Sequence, residues 1–124
     1  MGVGSKKLGG ATPASVAEMR EWIGWRVDDV NGSGIGRLQE VHADDYGQPA
    51  WIVINEFRFG EGRRFTAPAR EATGQSGRIW LPLDREFVRA SAGLGLVSRS
   101  AQAERRLRAH YGLDSDARSR RLAG

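Results

Sequence analysis

Cysteine is absent from this chain of 124 residues. That excludes a disulfide framework, a thiol nucleophile and thiolate metal ligation. Histidine is confined to His42 and His110. There is no Gly-x-Ser-x-Gly elbow, so nucleophilic hydrolase chemistry has little to draw on. No run approaches the roughly 18 consecutive apolar residues of a membrane span. The first residues carry no apolar signal-peptide core. The opening Met1-Gly2-Val3-Gly4-Ser5-Lys6 has Lys6 where N-myristoylation needs Ser or Thr. These absences lead to the expectation of a soluble, cytoplasmic protein.

What is present is glycine. There are 17 glycines and only 4 prolines, a balance that suits many tight turns between short strands. Turn clusters fall at Asn31-Gly32-Ser33-Gly34, Asp44-Asp45-Tyr46-Gly47-Gln48-Pro49, Gly60-Glu61-Gly62 and Thr73-Gly74-Gln75-Ser76-Gly77, about 14 residues apart. Turn signals at that spacing indicate an antiparallel meander or small barrel. Strands are expected at Trp25 to Val30, Ile35 to His42, Ala50 to Phe57, Phe65 to Ala69 and Arg78 to Leu83. Phe87-Val88 would form a last short strand or turn. In the Arg78 to Leu83 segment, Ile79, Leu81 and Leu83 alternate with Trp80, which places Trp80 on the opposite face.

Helical signals flank this middle. Thr12-Pro13 or Ser15 can start a short helix with Val16, Met19 and Ile23 as its apolar stripe, ending by Gly24. Ser98 or Ser100 can cap a helix to Tyr111, terminated by Gly112. There Ala103, Leu107 and Tyr111 recur every fourth residue, a stripe suited to docking on the barrel or on a second subunit. The domain reading is an unstructured segment 1–12, a barrel at 13–92, a linker and helix at 93–113 and a disordered basic tail at 114–124.

Charge is uneven. The net charge is +4, and residues 99–124 hold seven arginines against three acids. The basic signal therefore belongs to the C-terminal end, where an anionic partner could bind. A solvated helix face and frayed end is the plainer reading. Gly32-Ser33-Gly34-Ile35-Gly36 leads into a strand rather than a helix, so it reads as a hairpin, not a phosphate loop. His42, Asp44 and Asp45 have metal-ligand residue types but sit at a polar turn without a second histidine. Asp84-Arg85-Glu86 reads as a surface ion pair.

Several ordered pieces resemble one family. Ile23-Gly24-Trp25-Arg26-Val27, Asp29 to Val41, the acidic turn Asp44/Asp45, Gly47 and Pro49 to Val53 resemble the PRC-barrel pattern, and Phe65-Thr66-Ala67-Pro68 and Ile79 to Val88 look like its later strands. The stretch Glu104 to Gly112 is similar to the helix-Tyr-Gly ending of stand-alone bacterial members. Glu40 stands where Asp is common, and Ala67-Pro68 replaces Val-Pro. The resemblance implies an all-β fold: a small antiparallel PRC-type β-barrel with a short N-terminal helix or turn and a C-terminal α-helix. It implies no shared catalytic residues; no cofactor and no metal are expected from the residues themselves.

The family's namesake is the cytoplasmic domain of the photosynthetic reaction-centre H subunit. A related barrel ends the ribosome-maturation factor and binds a small-subunit ribosomal protein. Some stand-alone members are linked to stress response. The functional expectation is thus a non-enzymatic, homodimeric protein-interaction or adaptor module. Its candidate partner-binding residues are Trp80, Arg105, Arg106, Arg108 and Tyr111. The alternative is RNA or ribosome binding through the Arg-rich C-terminal helix.

Overall fold

The computed structural model describes residues 14–57, 62–92, 94 and 100–113. The segments 1–12 and 114–124, and most of the linker, lie outside the described residues. The chain forms helix α1 (Val16–Arg20), strands β1 (Arg26–Asp28), β2 (Gly34–Ala43), β3 (Pro49–Glu56), β4 (Arg64–Pro68), β5 (Thr73–Gln75) and β6 (Arg78–Trp80), then helices α2 (Arg85–Arg89) and α3 (Ala101–His110). The six strands make one sheet in the order β4-β3-β2-β1-β6-β5.

Two hairpins are built on one local device. In the β1–β2 turn, Asp29 Oδ1 accepts from Asn31 N at 2.8 Å and Ser33 N at 2.7 Å. In the β2–β3 turn, Asp44 Oδ1 accepts from Tyr46 N at 2.8 Å and Gln48 N at 2.9 Å. Gly32 and Gly47 hold the same place in each, at φ 84° and 79°. An aspartate that satisfies its own turn, with glycine in the left-handed region, makes these turns locally determined. The β5–β6 hairpin uses Ser76 and Gly77 with φ 55° and 84°, the pairing a two-residue primed turn requires.

The antiparallel expectation fails at one place. β1 and β6 are parallel, with Arg26 beside Arg78, Val27 beside Ile79 and Asp28 beside Trp80. The ladder is extended by Leu81 N to Asp28 O and Val30 N to Leu83 O. This pairing is long-range, so no turn signal announces it. The sheet also keeps two edges, β4 and β5, and is not closed by strand pairing. Phe87-Val88 is helical rather than extended, because Asp84 caps α2 by accepting from Glu86 N. Thr73 to Gln75, expected as turn, is the edge strand β5.

The core lies on one face. Val27, Leu38, Val41, Ile52, Ile54, Phe65, Ala67, Ile79 and Leu81 are buried there with Met19 and Trp22 from the first helical turns and Val88 from α2. Each fully buried aliphatic or aromatic side chain contributes about 1.5–3 kcal/mol. In β2 the register shifts between Leu38 and Glu40. This bulge lets Leu38 and Val41, an odd number of residues apart, both reach the core. Ile23, expected in the α1 stripe, is exposed, and Trp22 takes the buried place. The capping box of Ser15 and Glu18 is present and fixes the start of α1 at Val16.

The opposite face is covered at one end. Trp51 and Val53 alternate with Ile52 and Ile54 along β3 and are also buried, as is Leu107 of α3. Tyr111 packs against Trp51 and edge-on to Phe87, while His110 stacks on Phe87 at 4.4 Å. The stripe expected on the C-terminal helix therefore docks on this chain's own sheet. Edge strand β4 is blunted by the same packing. Thr66 N donates to Ser91 Oγ at 3.1 Å, and Thr66 O accepts from the Tyr111 hydroxyl at 2.5 Å. Burial pushes that hydroxyl up to about 12, against the lowering effect of a hydrogen bond with Ser91. It therefore stays a donor at all working pH. Ser91→Ala leaves the buried Thr66 N–H without a partner and should cost about 1–3 kcal/mol. Tyr111→Phe keeps the ring contacts and should cost about 1 kcal/mol. Urea unfolding of the two variants checks the order.

Candidate functional site

Side chains directly opposite in neighbouring strands share one face of a sheet. Starting from β5, Gln75 pairs with Arg78, Arg78 with Arg26, Arg26 with Arg37, Arg37 with Asn55 and Asn55 with Arg64. These six residues form a single row that crosses all six strands. With strands about 4.8 Å apart, Arg78 and Arg64 stand roughly 19 Å from each other. None of the six is buried. Four of the six positions are arginine.

A second row runs beside the first. Thr73, Trp80, Asp28 and Gly34 are successive cross-strand neighbours. Trp80 is 39% exposed and Phe57, just past the end of β3, is 41% exposed. Gly34 carries no side chain because the space above it is taken. A Cβ there would lie 2.8 Å from the Phe57 ring and 3.0 Å from the Arg26 guanidinium. The Phe57 ring is flanked by Arg26 at 5.7 Å and Arg37 at 5.5 Å from its centroid, distances at which a guanidinium is attracted to the ring face.

Asp28 is the one acid in these two rows, and it is almost fully buried. It bonds Arg26 Nε at 2.5 Å and lies 3.4 Å from Arg78 Nε. One carboxylate thus orders two arginines and leaves the row strongly positive. Arg37 is anchored differently, donating to Gly24 O at 3.1 Å. Three of the four arginines are therefore held in place from below or beside, so a ligand does not bear the full cost of ordering them.

The structure separates the residues singled out from the sequence. Trp80 is exposed on the face opposite Ile79 and Leu81, as its alternation with them implied. Arg105 and Arg106 are exposed on α3, and Tyr111 is turned inward against Trp51 and Thr66. Arg108 lines a cavity of about 360 Å³ with Trp51, Arg70 and Glu104. Trp80 and the C-terminal residues do not form one site. His42, Asp44 and Asp45 line one cavity of about 250 Å³ with Glu104, but no group of three or more His, Asp or Glu side chains among the described residues is placed to hold a metal ion. His42 Nε2 sits 2.9 Å from Glu40, and Asp44 is engaged by its own turn.

Two acids are shifted by their surroundings. Burial pushes the Asp29 carboxyl up. Backbone N–H groups of Ser33, Arg85 and Asn31, with the Arg85 charge, more than offset it and hold the group below its ordinary value. Glu56 is held down by the Arg63 backbone N–H and guanidinium against burial, with the Arg89 charge adding to the effect. Both shifts belong to groups that fasten backbone. No helix among the described residues is long and apolar enough to cross a membrane.

No protein-family model matches the chain, and no curated protein matches it.

Proposed function

We propose that this chain is a non-catalytic binding module, an open relative of the PRC-type β-barrel, whose working surface is the arginine-lined part of the sheet face opposite the core. The observation that carries the proposal is the cross-strand row of Arg78, Arg26, Arg37 and Arg64 beside exposed Trp80 and Phe57. Exposed aromatics among arginines are the composition of binding hot spots. Among the described residues, the shifted groups Asp29, Glu56 and Tyr111 each secure backbone atoms.

An adaptor of this kind takes a partner of opposite charge. A second copy is a poor occupant of this face, because a two-fold interface brings the same patch against itself. Arginine would then oppose arginine, which is costly at an interface. The expected homodimer therefore has no support from this surface, and the proposed occupant is an anionic macromolecule.

Immobilised heparin, as a probe anionic polymer, should retain the protein at low salt. Trp80→Asp with Arg64→Glu should elute at clearly lower salt than the parent. Equal elution of parent and variant would overturn the assignment of the surface.

A further inference from the structure

The binding face has a narrower chemical meaning. We propose that it binds single-stranded nucleic acid, with phosphates along the arginine row and a base stacked on Trp80. The inference rests on the binding-module reading above and adds the identity of the ligand.

Three features of the face lead to this ligand. First, the positive charge is linear. Arg78, Arg26 and Arg37 are on adjacent strands, and Arg64 follows after Asn55. A row spaced by strand pairing offers repeated guanidinium contacts to a polymer of regularly spaced anions, and guanidinium forks match phosphate geometry.

Second, the aromatics lie beside the row rather than in the core. Trp80 is two residues from Arg78 on β6, and Phe57, just past the end of β3, has Arg26 and Arg37 over its ring. Rings flanking a basic track provide stacking platforms for unpaired bases. A duplex hides its base faces and could use only the arginines. A membrane surface would also meet the charge, but it would leave the exposed Trp80 ring without a planar partner. An acidic protein would lack the bases that the Trp80 ring fits.

Third, the row contains amide side chains at Gln75 and Asn55. These can donate to and accept from base edges or sugar hydroxyls without adding charge. Nothing in the row reads a fixed base pattern, so the expected binding is tolerant of sequence. Contacts to about four phosphates imply a log–log salt slope near −3, from roughly 0.7 per phosphate contact on single strands.

The test is fluorescence anisotropy with labelled twenty-nucleotide oligothymidylate and oligouridylate at 50 mM and 200 mM salt. The parent protein should bind both strands, with the steep salt loss just given. Arg37→Glu with Arg64→Glu spares the Asp28 pair, and it should weaken binding at least ten-fold and roughly halve the salt slope. Trp80→Ala should weaken binding about five-fold or more with the slope unchanged, since stacking releases no counterions. Circular dichroism and thermal melting of each variant separate lost binding from lost fold. Arg105→Glu with Arg106→Glu on α3 should bind nearly as the parent does.

Loss through the α3 variant alone would overturn the assignment by moving the site to the C-terminal helix. Polyglutamate or anionic phosphatidylserine vesicles competing as well as the oligonucleotide, with Trp80→Ala silent, would overturn the nucleic-acid identity and leave the binding-module reading standing. No binding of oligonucleotide, polyglutamate, vesicles or heparin would overturn both.

Discussion

Gly36→Ala should lower the unfolding free energy by about 3 kcal/mol or more, the upper end of what overpacking a well-packed site costs. A Cβ on Gly36 would stand 2.1 Å from the carbonyl oxygen of Asn55 and 3.0 Å from Ile54 Cγ2. The first contact is with backbone of the neighbouring strand, which cannot rotate away. Relief requires β2 and β3 to separate where Gly36 pairs with Glu56. This is the longest strand pair in the sheet, so the damage spreads. Gly32→Ala is the comparison. Nothing lies within 4 Å of its Cβ position, but its φ is 84°. It should cost only about 1–2 kcal/mol, the penalty of left-handed backbone for an L-residue. Urea unfolding with slopes of about 1–3 kcal/mol per molar should show the Gly36→Ala midpoint falling by roughly 1–3 M. A Gly36→Ala variant as stable as the parent would contradict the β2–β3 register.

Asp29→Ala should cost a similar amount, about 3 kcal/mol, because a buried charged acceptor serves three donors at once. Its carboxylate accepts from Asn31 N and Ser33 N in the β1–β2 turn, and from Arg85 N at 2.9 Å. Arg85 is the first residue of α2, where backbone N–H groups have no partner within the helix. One side chain therefore ties a hairpin to a helix 56 residues away in sequence. Asp29→Asn retains one acceptor oxygen and should cost less.

The same residue gives a pH signature. A carboxyl whose folded value is depressed contributes stability that is fully present above its unfolded value and is lost as pH falls through the folded one. Asp29 starts from 3.8 and Glu56 from 4.5, and both are lowered in the fold. Stability should be level above about pH 5 and decline below about pH 4. In Asp29→Ala that decline should be shallower. An unchanged acid slope would show that Asp29 is not an anchored carboxylate.

Much of the fold is legible in the sequence because its turns are local. Asp29 with Gly32 and Asp44 with Gly47 announce two hairpins, and Ser15 and Ser100 announce two helix starts. The apolar run Trp51 to Ile54 marks an interior strand, buried on both faces. Other parts depend on distant residues. The parallel pairing of β1 with β6 joins residues 52 positions apart. Thr73-Gly74-Gln75 reads as turn by composition, yet it pairs with β6, and Trp22 lies on Gly74. The capping role of Asp84 outweighs the strand preference of Phe87-Val88.

The candidate site divides the same way. Trp80 is visible from simple alternation within one strand. The arginine row is not, since Arg26, Arg37, Arg64 and Arg78 are scattered along the chain and meet only through register. Sequence charge instead draws attention to the C-terminal arginines, of which the described Arg105, Arg106 and Arg108 lie on α3 and outside the row. The same register that places the four arginines together also places Asp28 beneath two of them.

The most direct test of the binding face is a backbone and indole amide map by nuclear magnetic resonance. The isotopically labelled protein would be titrated with oligothymidylate at low salt. Resonances of Arg26, Arg37, Asn55, Arg64 and Arg78 and the indole N–H of Trp80 should move together and saturate. The indole signals of Trp22 and Trp51, buried elsewhere, should stay in place. Shifts confined to Ala101–His110, or none on the sheet at saturating oligonucleotide, would contradict the account.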